Sequence, residues 1–460
     1  VRSPPDGPVS PRRNLLLQEG RALITLAVPV VLTQFAQRAI GITDVVMISH
    51  YDTRALGAAA LGLSAYYNLV FLCVGPTSAF AALIAQMTGR GESRGALSRG
   101  LRTGLVAGAI TAAPAVLLLQ FTTLFLTLLS EPAELAFLSG RFAATMAAGL
   151  PFLLGFEVLR NYAAALGRPG LPLIVMAASI LVNGAGNYAL IFGHWGSPAL
   201  GLWGSALASV ISNGFNFCAL FFLVSRVAAL RPDGFFAARG GIDRRMLADL
   251  FRLGIPIGLN LLLEVLFFTS GAVILGYFGA HVLAAHQIAN TITATLFMVP
   301  VGLGTAATIR IAAAAGAEDP ARARLVARLA LATGVAVALA YALLLALAPA
   351  QLAGLFVPAG QAESGAVVAS VVLFLYFAAA YQVFDAAQVV INSLLRGLKD
   401  TLVPMYLAVG SYWLIGFPAS IVLAFWTRLG AAGVWAAYVL ALLVAASALW
   451  ARLAGRLKRL

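Results

Sequence analysis

Charge is scarce in this chain. Only 10% of its 460 residues are Asp, Glu, Lys or Arg, against about 25% in soluble proteins. A soluble domain of this length needs a wet, polar surface, and 61% apolar residues leave too little to build one. Cysteine is equally sparse. Cys73 and Cys218 lie far apart in apolar stretches, which argues against a disulfide framework and for two small buried thiols. The four histidines have no metal-ligand spacing. No phosphate loop, nucleophile elbow or zinc motif appears, so the common signatures of a membrane-embedded enzyme are missing.

What the chain does have is long apolar runs. They cover approximately 22–48, 56–86, 103–128, 137–159, 170–192, 202–225, 253–277, 283–312, 328–349, 366–394, 402–425 and 431–451. Each is long enough to cross about 30 Å of hydrocarbon. Backbone in lipid must satisfy its own hydrogen bonds, so such runs are helices; barrel strands are far shorter. The expected fold class is therefore an all-α integral membrane protein of about twelve transmembrane helices. The first run is too long for a signal-peptide core and reads as a span.

The formal charge of +13 has a location. With the N-terminus inside, Arg12, Arg13 and Arg21, then Arg90 to Arg102, Arg226 to Arg252, Arg310 to Arg328 and Arg452 to Arg459 all fall on one side. That asymmetry places both termini in the cytoplasm and assigns the basic charge to topology, with no nucleic-acid partner. A weak repeat recurs at an offset of 227 residues. Leu26, Pro29, Leu56 and Gly89 match Leu253, Pro256, Leu283 and Gly316. Six helices per half give parallel repeats, with a substrate path at their interface. The expected organisation is a disordered cytoplasmic tail over 1–20, a six-helix lobe over 21–226, a cytoplasmic linker over 227–251 and a second lobe over 252–460.

An ionisable side chain inside a span costs roughly 2.5–3.5 kcal/mol on insertion scales and marks function by default. Glu264, in LLLEVLFF, and Asp385, in YQVFDAAQVV, each interrupt a long apolar run with no basic residue in reach on their own helix. Asp44 is a third case, with Arg38 six residues away on a different face. Glu157 is expected to pair with Arg160, three residues on. Such carboxylates can bind a proton or sodium, because apolar surroundings strengthen a carboxyl's hold on its proton and hydration weakens it. Asn183 and Asn187 lie one turn apart and, with Ser209, could ligate a cation or bond helices together. Tyr381 precedes Asp385 by four residues and could hydrogen-bond it. Gln34, Gln37 and Gln287 are candidates for a polar cavity. Phe267, Phe268, Phe384 and Tyr66 could offer faces to organic cations. Pro29 and Pro256 are candidate hinges, and Pro300 and Pro404 also favour kinks.

Four stretches resemble a known family: LAVPVVLTQFAQ with TDVVM, LFRLGIPIGLNLLLEV, VLAAHQIAN, and YQVFDAAQVVINSLLRGLKDT. Together they are similar to the multidrug and toxic compound extrusion family and its bacterial NorM branch. The resemblance covers nearly everything after residue 20. It implies two lobes around a V-shaped cavity in the bacterial inner membrane. It implies export of organic, cationic or amphiphilic compounds in exchange for sodium or protons, with no cofactor, and a monomer surrounded by lipid. It places the coupling ion, sodium included, at Glu264 and Asp385, and a first-lobe site at Asp44, Asn183, Asn187 and Ser209. Arg38 departs from the family pattern and could pair with Asp44, weakening a cation site there. A lipid-precursor flippase would instead need a cationic cavity, and a channel fits a two-lobe repeat with isolated acids less well.

Overall fold

A computed structural model describes residues 11–231, 241–357 and 364–460, and among them all regular structure is helical. Among the described residues, eleven helices are long and apolar enough to cross a membrane. They are α1 (Pro11–Tyr51), α2 (Thr53–Gly89), α3 (Arg94–Leu119), α7 (Gly170–Phe192), α8 (Leu202–Arg226), α9 (Arg244–Gly276), α10 (Ala280–Gly316), α11 (Pro320–Leu347), α13 (Ser364–Gly397), the segment Leu402–Phe425, and α16 (Ala432–Lys458). A twelfth span is the bent pair α5 (Ala133–Ala147) and α6 (Leu150–Ala165), which meet at 44°. Short helices α4 (Thr122–Leu128) and α12 (Pro349–Gly354) follow α3 and α11.

The outer surface is apolar. Leu181 and Leu414 are each 76% exposed and Leu117 61%. Water-soluble chains seldom display such a surface, whereas lipid solvates it at no cost. Loop acids begin several helices. Asp243 accepts from the backbone of Arg245 and Met246 at 3.0 Å, and Asp319 from Arg322 at 2.9 Å. Each satisfies donors that the first helical turn leaves free.

Several expected boundaries move. The run expected over 137–159 is broken at Ala148 and Gly149, because Pro151 lacks an N–H and its ring clashes with the carbonyl four residues back. The run expected over 103–128 ends as a long helix at Leu119, with α4 beyond it. By contrast α1 and α9 continue through Pro29 and Pro256, and the Thr33 hydroxyl donates to the Pro29 carbonyl at 2.8 Å. The tail expected over 1–20 is helical from Pro11, and residues 1–10 lie outside the described residues. The expected linker already enters α9 at Arg244, and its residues 232–240 also lie outside them. Between α14 (Leu402–Val409) and α15 (Phe417–Phe425), the segment Gly410–Gly416 winds as a π-helix.

The first six spans form one half and the last six the other. They meet along α1 and α2 on one side and α9 and α10 on the other. This seam is backbone against backbone, and glycine makes it possible. A Cβ on Gly89 would lie 2.1 Å from the Ala313 carbonyl oxygen, and one on Gly316 would lie 2.2 Å from that of Gln86. The two contacts exchange under the 227-residue offset seen in the sequence. The contact of Gly75 with Gly258 has its counterpart in that of Gly302 with Val31. The repeat is thus a two-fold relation about the seam.

Polar ties reinforce the same end, where the arginine-rich loops gather. Glu19 on α1, 6% exposed at its side chain, binds Arg310 and Arg322 of the second half. Gln86 Nε2 donates to the Gly397 carbonyl at 3.1 Å. Asp400 holds Arg452 and Arg456 at 2.8 and 3.2 Å. In the opposite half of these helices Gly41, Gly57 and Gly276 have no atom within 4 Å of a built Cβ.

Gly75→Val is therefore expected to destabilise the protein by about 1–3 kcal/mol through overpacking at the Gly254 carbonyl. Gly184→Ala, which meets open space, serves as the control. Unfolding curves of the detergent-purified variants decide it, and coincident curves would show that the seam tolerates side chains.

Candidate functional site

Two clusters of buried and partly buried polar residues stand out, one in each half. In the first half Asp44 of α1 is enclosed by α7 and α8. Asn183 and Asn187 donate through Nδ2 to its Oδ1 at 3.0 and 2.6 Å, and the Ser209 hydroxyl donates to Oδ2 at 2.8 Å. Asn183 and Asn187 share a helix face, and both are fully buried. The Asn187 amide also donates to Asn183 Oδ1 at 3.1 Å, while Asn187 Oδ1 has no partner. Three charge-assisted donors stabilise the ionised carboxylate. Arg38 does not take part. Among the described residues no ion pair joins it to Asp44, and the carboxylate is satisfied from the other helices.

In the second half Glu264 on α9 and Asp385 on α13 are 8% and 5% exposed. They lie close enough for each charge to act on the other. Their environments differ from that of Asp44. Asp385 Oδ1 is buried with no hydrogen-bond partner. Around the pair lie further unpartnered polar atoms: Asn260 Oδ1 one turn before Glu264, Gln388 Nε2, and both side-chain polar atoms of Gln382. Gln388 stands beside Glu264, and its Oε1 accepts from the Tyr412 hydroxyl at 2.7 Å. Tyr412 and Trp413 belong to the π segment. The wider turn brings Tyr412 onto Gln388 and lets Trp413 Nε1 donate to the Leu263 carbonyl at 3.2 Å. Phe267 stacks on Tyr412 with ring centroids 5.3 Å apart.

The remaining expected residues fall in different places. Tyr381 is buried, within 6.4 Å of Phe268 and 5.9 Å of Trp435, ring to ring. Gln37 and Gln287 are exposed and belong to neither buried cluster. Gln34 accepts from Arg160 at 3.2 Å, and Glu157 is ion-paired with Arg160. Tyr66 is buried with its hydroxyl unpartnered, and Phe384 is partly buried. Asn260, Gln382, Gln388 and Tyr412 escaped the sequence reading. Spacing would have found two of them, since Gln382 and Gln388 lie three residues either side of Asp385.

Removing the charge should therefore have opposite effects at the two sites. Asp44→Asn is expected to cost about 1.5–3 kcal/mol, because it loses charge-assisted bonds from three donors. Asp385→Asn is expected to leave stability unchanged or raised, because it removes a buried charge with an orphaned oxygen. Thermal unfolding of both purified variants at neutral pH measures the contrast, and equal losses would contradict this geometry.

Known proteins match this arrangement along most of the chain. The MatE family model matches residues 29–189 and again 256–422, the second match beginning 227 residues after the first. A probable multidrug resistance protein NorM of Bradyrhizobium diazoefficiens is 35% identical over 423 residues, covering 92% of this chain and 90% of that protein. The multidrug resistance protein NorM of Burkholderia vietnamiensis is 33% identical over 411 residues, covering 89% and 88%. Among solved structures, a eukaryotic MATE transporter, AtDTX14, superposes with a TM-score of 0.82 at 22% identity, covering 97% of this chain and 99% of that one. The Vibrio cholerae MATE transporter VcmN in its bent form gives 0.81 at 17%, covering 97% and 98%. With its twice-matched halves, its membrane-spanning helices and its NorM relatives, the chain belongs to the multidrug and toxic compound extrusion family, in the NorM-like branch, and is a multidrug efflux transporter and not an enzyme.

Proposed function

We propose that the protein is an antiporter that exports organic, cationic or amphiphilic compounds in exchange for sodium or protons. It works as a monomer in the bacterial inner membrane, without a cofactor, by alternating access between lobes at 21–226 and 252–460 joined by the linker at 227–251. The arginine-rich end is cytoplasmic, in keeping with the positive-inside rule.

The observation that carries this reading is the orphaned Asp385 Oδ1, which lies within electrostatic reach of Glu264. A buried carboxylate oxygen with no donor calls for a proton or a metal cation. Two acids that feel each other's charge in apolar surroundings accept a small cation readily, and give it up when the site opens to water. Tyr381, Asn260 and Gln388 supply further oxygens nearby. A cation moving inward across 100 mV releases about 2.3 kcal/mol, and each pH unit adds about 1.4 kcal/mol. Asp44 serves as a second position. Turning the Asn187 amide over would present its oxygen, with that of Ser209, to an ion.

The glycine seam supports a state sealed at the cytoplasmic end, and the open space at Gly41, Gly57 and Gly276 supports separation of the lobes at the other. Exposed Gln37 and Gln287 suit the wall of that cleft. Pro29 and Pro256, within unbroken helices, are the proposed hinges for the reverse motion.

Glu264→Gln and Asp385→Asn are each expected to abolish drug efflux while the amount of protein in the membrane stays the same. Transport by proteoliposomes, with sodium and pH gradients imposed separately, tests the site and identifies the ion. Wild-type rates from both variants would overturn the assignment.

A further inference from the structure

A small cavity of about 30 Å³ lies between the two halves, lined by residues of neither carboxylate cluster. Ser78, Arg160 and Asn161 line it from the first half, and Thr305, Thr308 and Arg396 from the second. Two arginines facing one cavity are unusual in a chain whose proposed cargo is cationic.

Most of the polar groups here are already engaged. Asn161 Nδ2 donates to the Thr77 carbonyl at 2.9 Å, Thr308 to that of Ser393 at 2.8 Å and Thr305 to that of Val301 at 3.1 Å. Arg160 gives its terminal nitrogens to Gln34 and Glu157. What remains includes two buried donors. The Nε of Arg160 and the Nε of Arg396 are both buried without a hydrogen-bond partner. The Ser78 hydroxyl can rotate to add a third donor.

The charges do not balance. Glu157 neutralises Arg160. Among the described residues no ion pair within 4 Å neutralises Arg396, although its charge is felt at Glu264. Arg396 is partly exposed, but its Nε–H is buried without an acceptor, and a buried donor left unpaired is costly. The paired arginines repel a cation here, and the space of about 30 Å³ suits a small ion.

We propose that this inter-half cavity binds a single inorganic anion of halide size, held between the guanidinium groups of Arg160 and Arg396. The anion supplies the missing acceptor to both Nε–H groups and the missing charge to Arg396. With both halves contributing donors, it also bridges the seam. It shields Glu264 from Arg396 and so strengthens cation binding there. That last consequence rests on the function proposed for Glu264, whereas the binding itself does not.

The full chain in detergent tests this without any transport assay. Melting is followed in sodium chloride, sodium bromide and sodium gluconate at equal sodium concentration and ionic strength. The expected result is a saturable rise in melting temperature with chloride and bromide over gluconate, lost in Arg396→Gln and kept in Arg245→Gln. Crystals grown with bromide are expected to show an anomalous peak in the cavity, an arm that needs no variant. Equal melting in the three salts, or a cavity without a bromide peak, would overturn the proposal and show that water alone fills it.

Discussion

Hydrocarbon neither donates nor accepts a hydrogen bond, and most of what is specific about this fold follows from that. Every polar atom within the spans must find its partner inside the protein or hold something brought in from outside. Asp44 meets the demand internally, with three donors from two neighbouring helices. Asp385 does not, and its bare oxygen lies within electrostatic reach of a second acid. The two halves of a duplicated fold have thus become chemically unequal. One holds a carboxylate that three donors satisfy, and the other holds a pair of acids with a buried oxygen that no donor reaches.

The seam between the halves obeys the same constraint differently. Lipid gives no hydrophobic drive for one helix to leave it for another, so close association relies on packing, and small residues let backbones touch. Here the touching points are carbonyl oxygens set against glycines, repeated on each side of a two-fold relation. Side-chain ties accumulate where the loops leave the bilayer, with Glu19 reaching two arginines of the other half. Dispersion contacts in the spans and ion pairs at the rim therefore hold the same end together by independent means.

Much of this was legible in the sequence because lipid is a simple solvent. Continuous apolar runs announced the spans, arginines marked one end, and Asp44, Glu264 and Asp385 stood out as expensive exceptions. The family resemblance then joined Asp44 with Asn183, Asn187 and Ser209, which the structure brings within hydrogen-bonding distance. What the sequence hid depends on distance in space. Gln388 and Asn260 look like ordinary polar residues until α9 and α13 lie side by side. The π segment has no local signature beyond its bounding glycines, yet it sets where Tyr412 and Trp413 point. Pro151 was passed over within an apolar run, although it breaks a span. Glu19 was read as part of a tail, and its arginine partners lie some 300 positions along the chain. Arg38 was a possible partner for Asp44 within one helix, and three donors arriving from two other helices take its place.

The glycine seam has a genetic corollary. Every missense change in a glycine codon adds at least one carbon, and at Gly75, Gly89, Gly258 and Gly316 that carbon would sit within 2.1–2.3 Å of backbone in the opposite half. No conservative replacement exists at these positions. Inactivating alleles of such a gene would therefore gather at residues that touch neither ion nor cargo, and a survey of spontaneous drug-sensitive mutants would map where the halves cross before it mapped the chemistry.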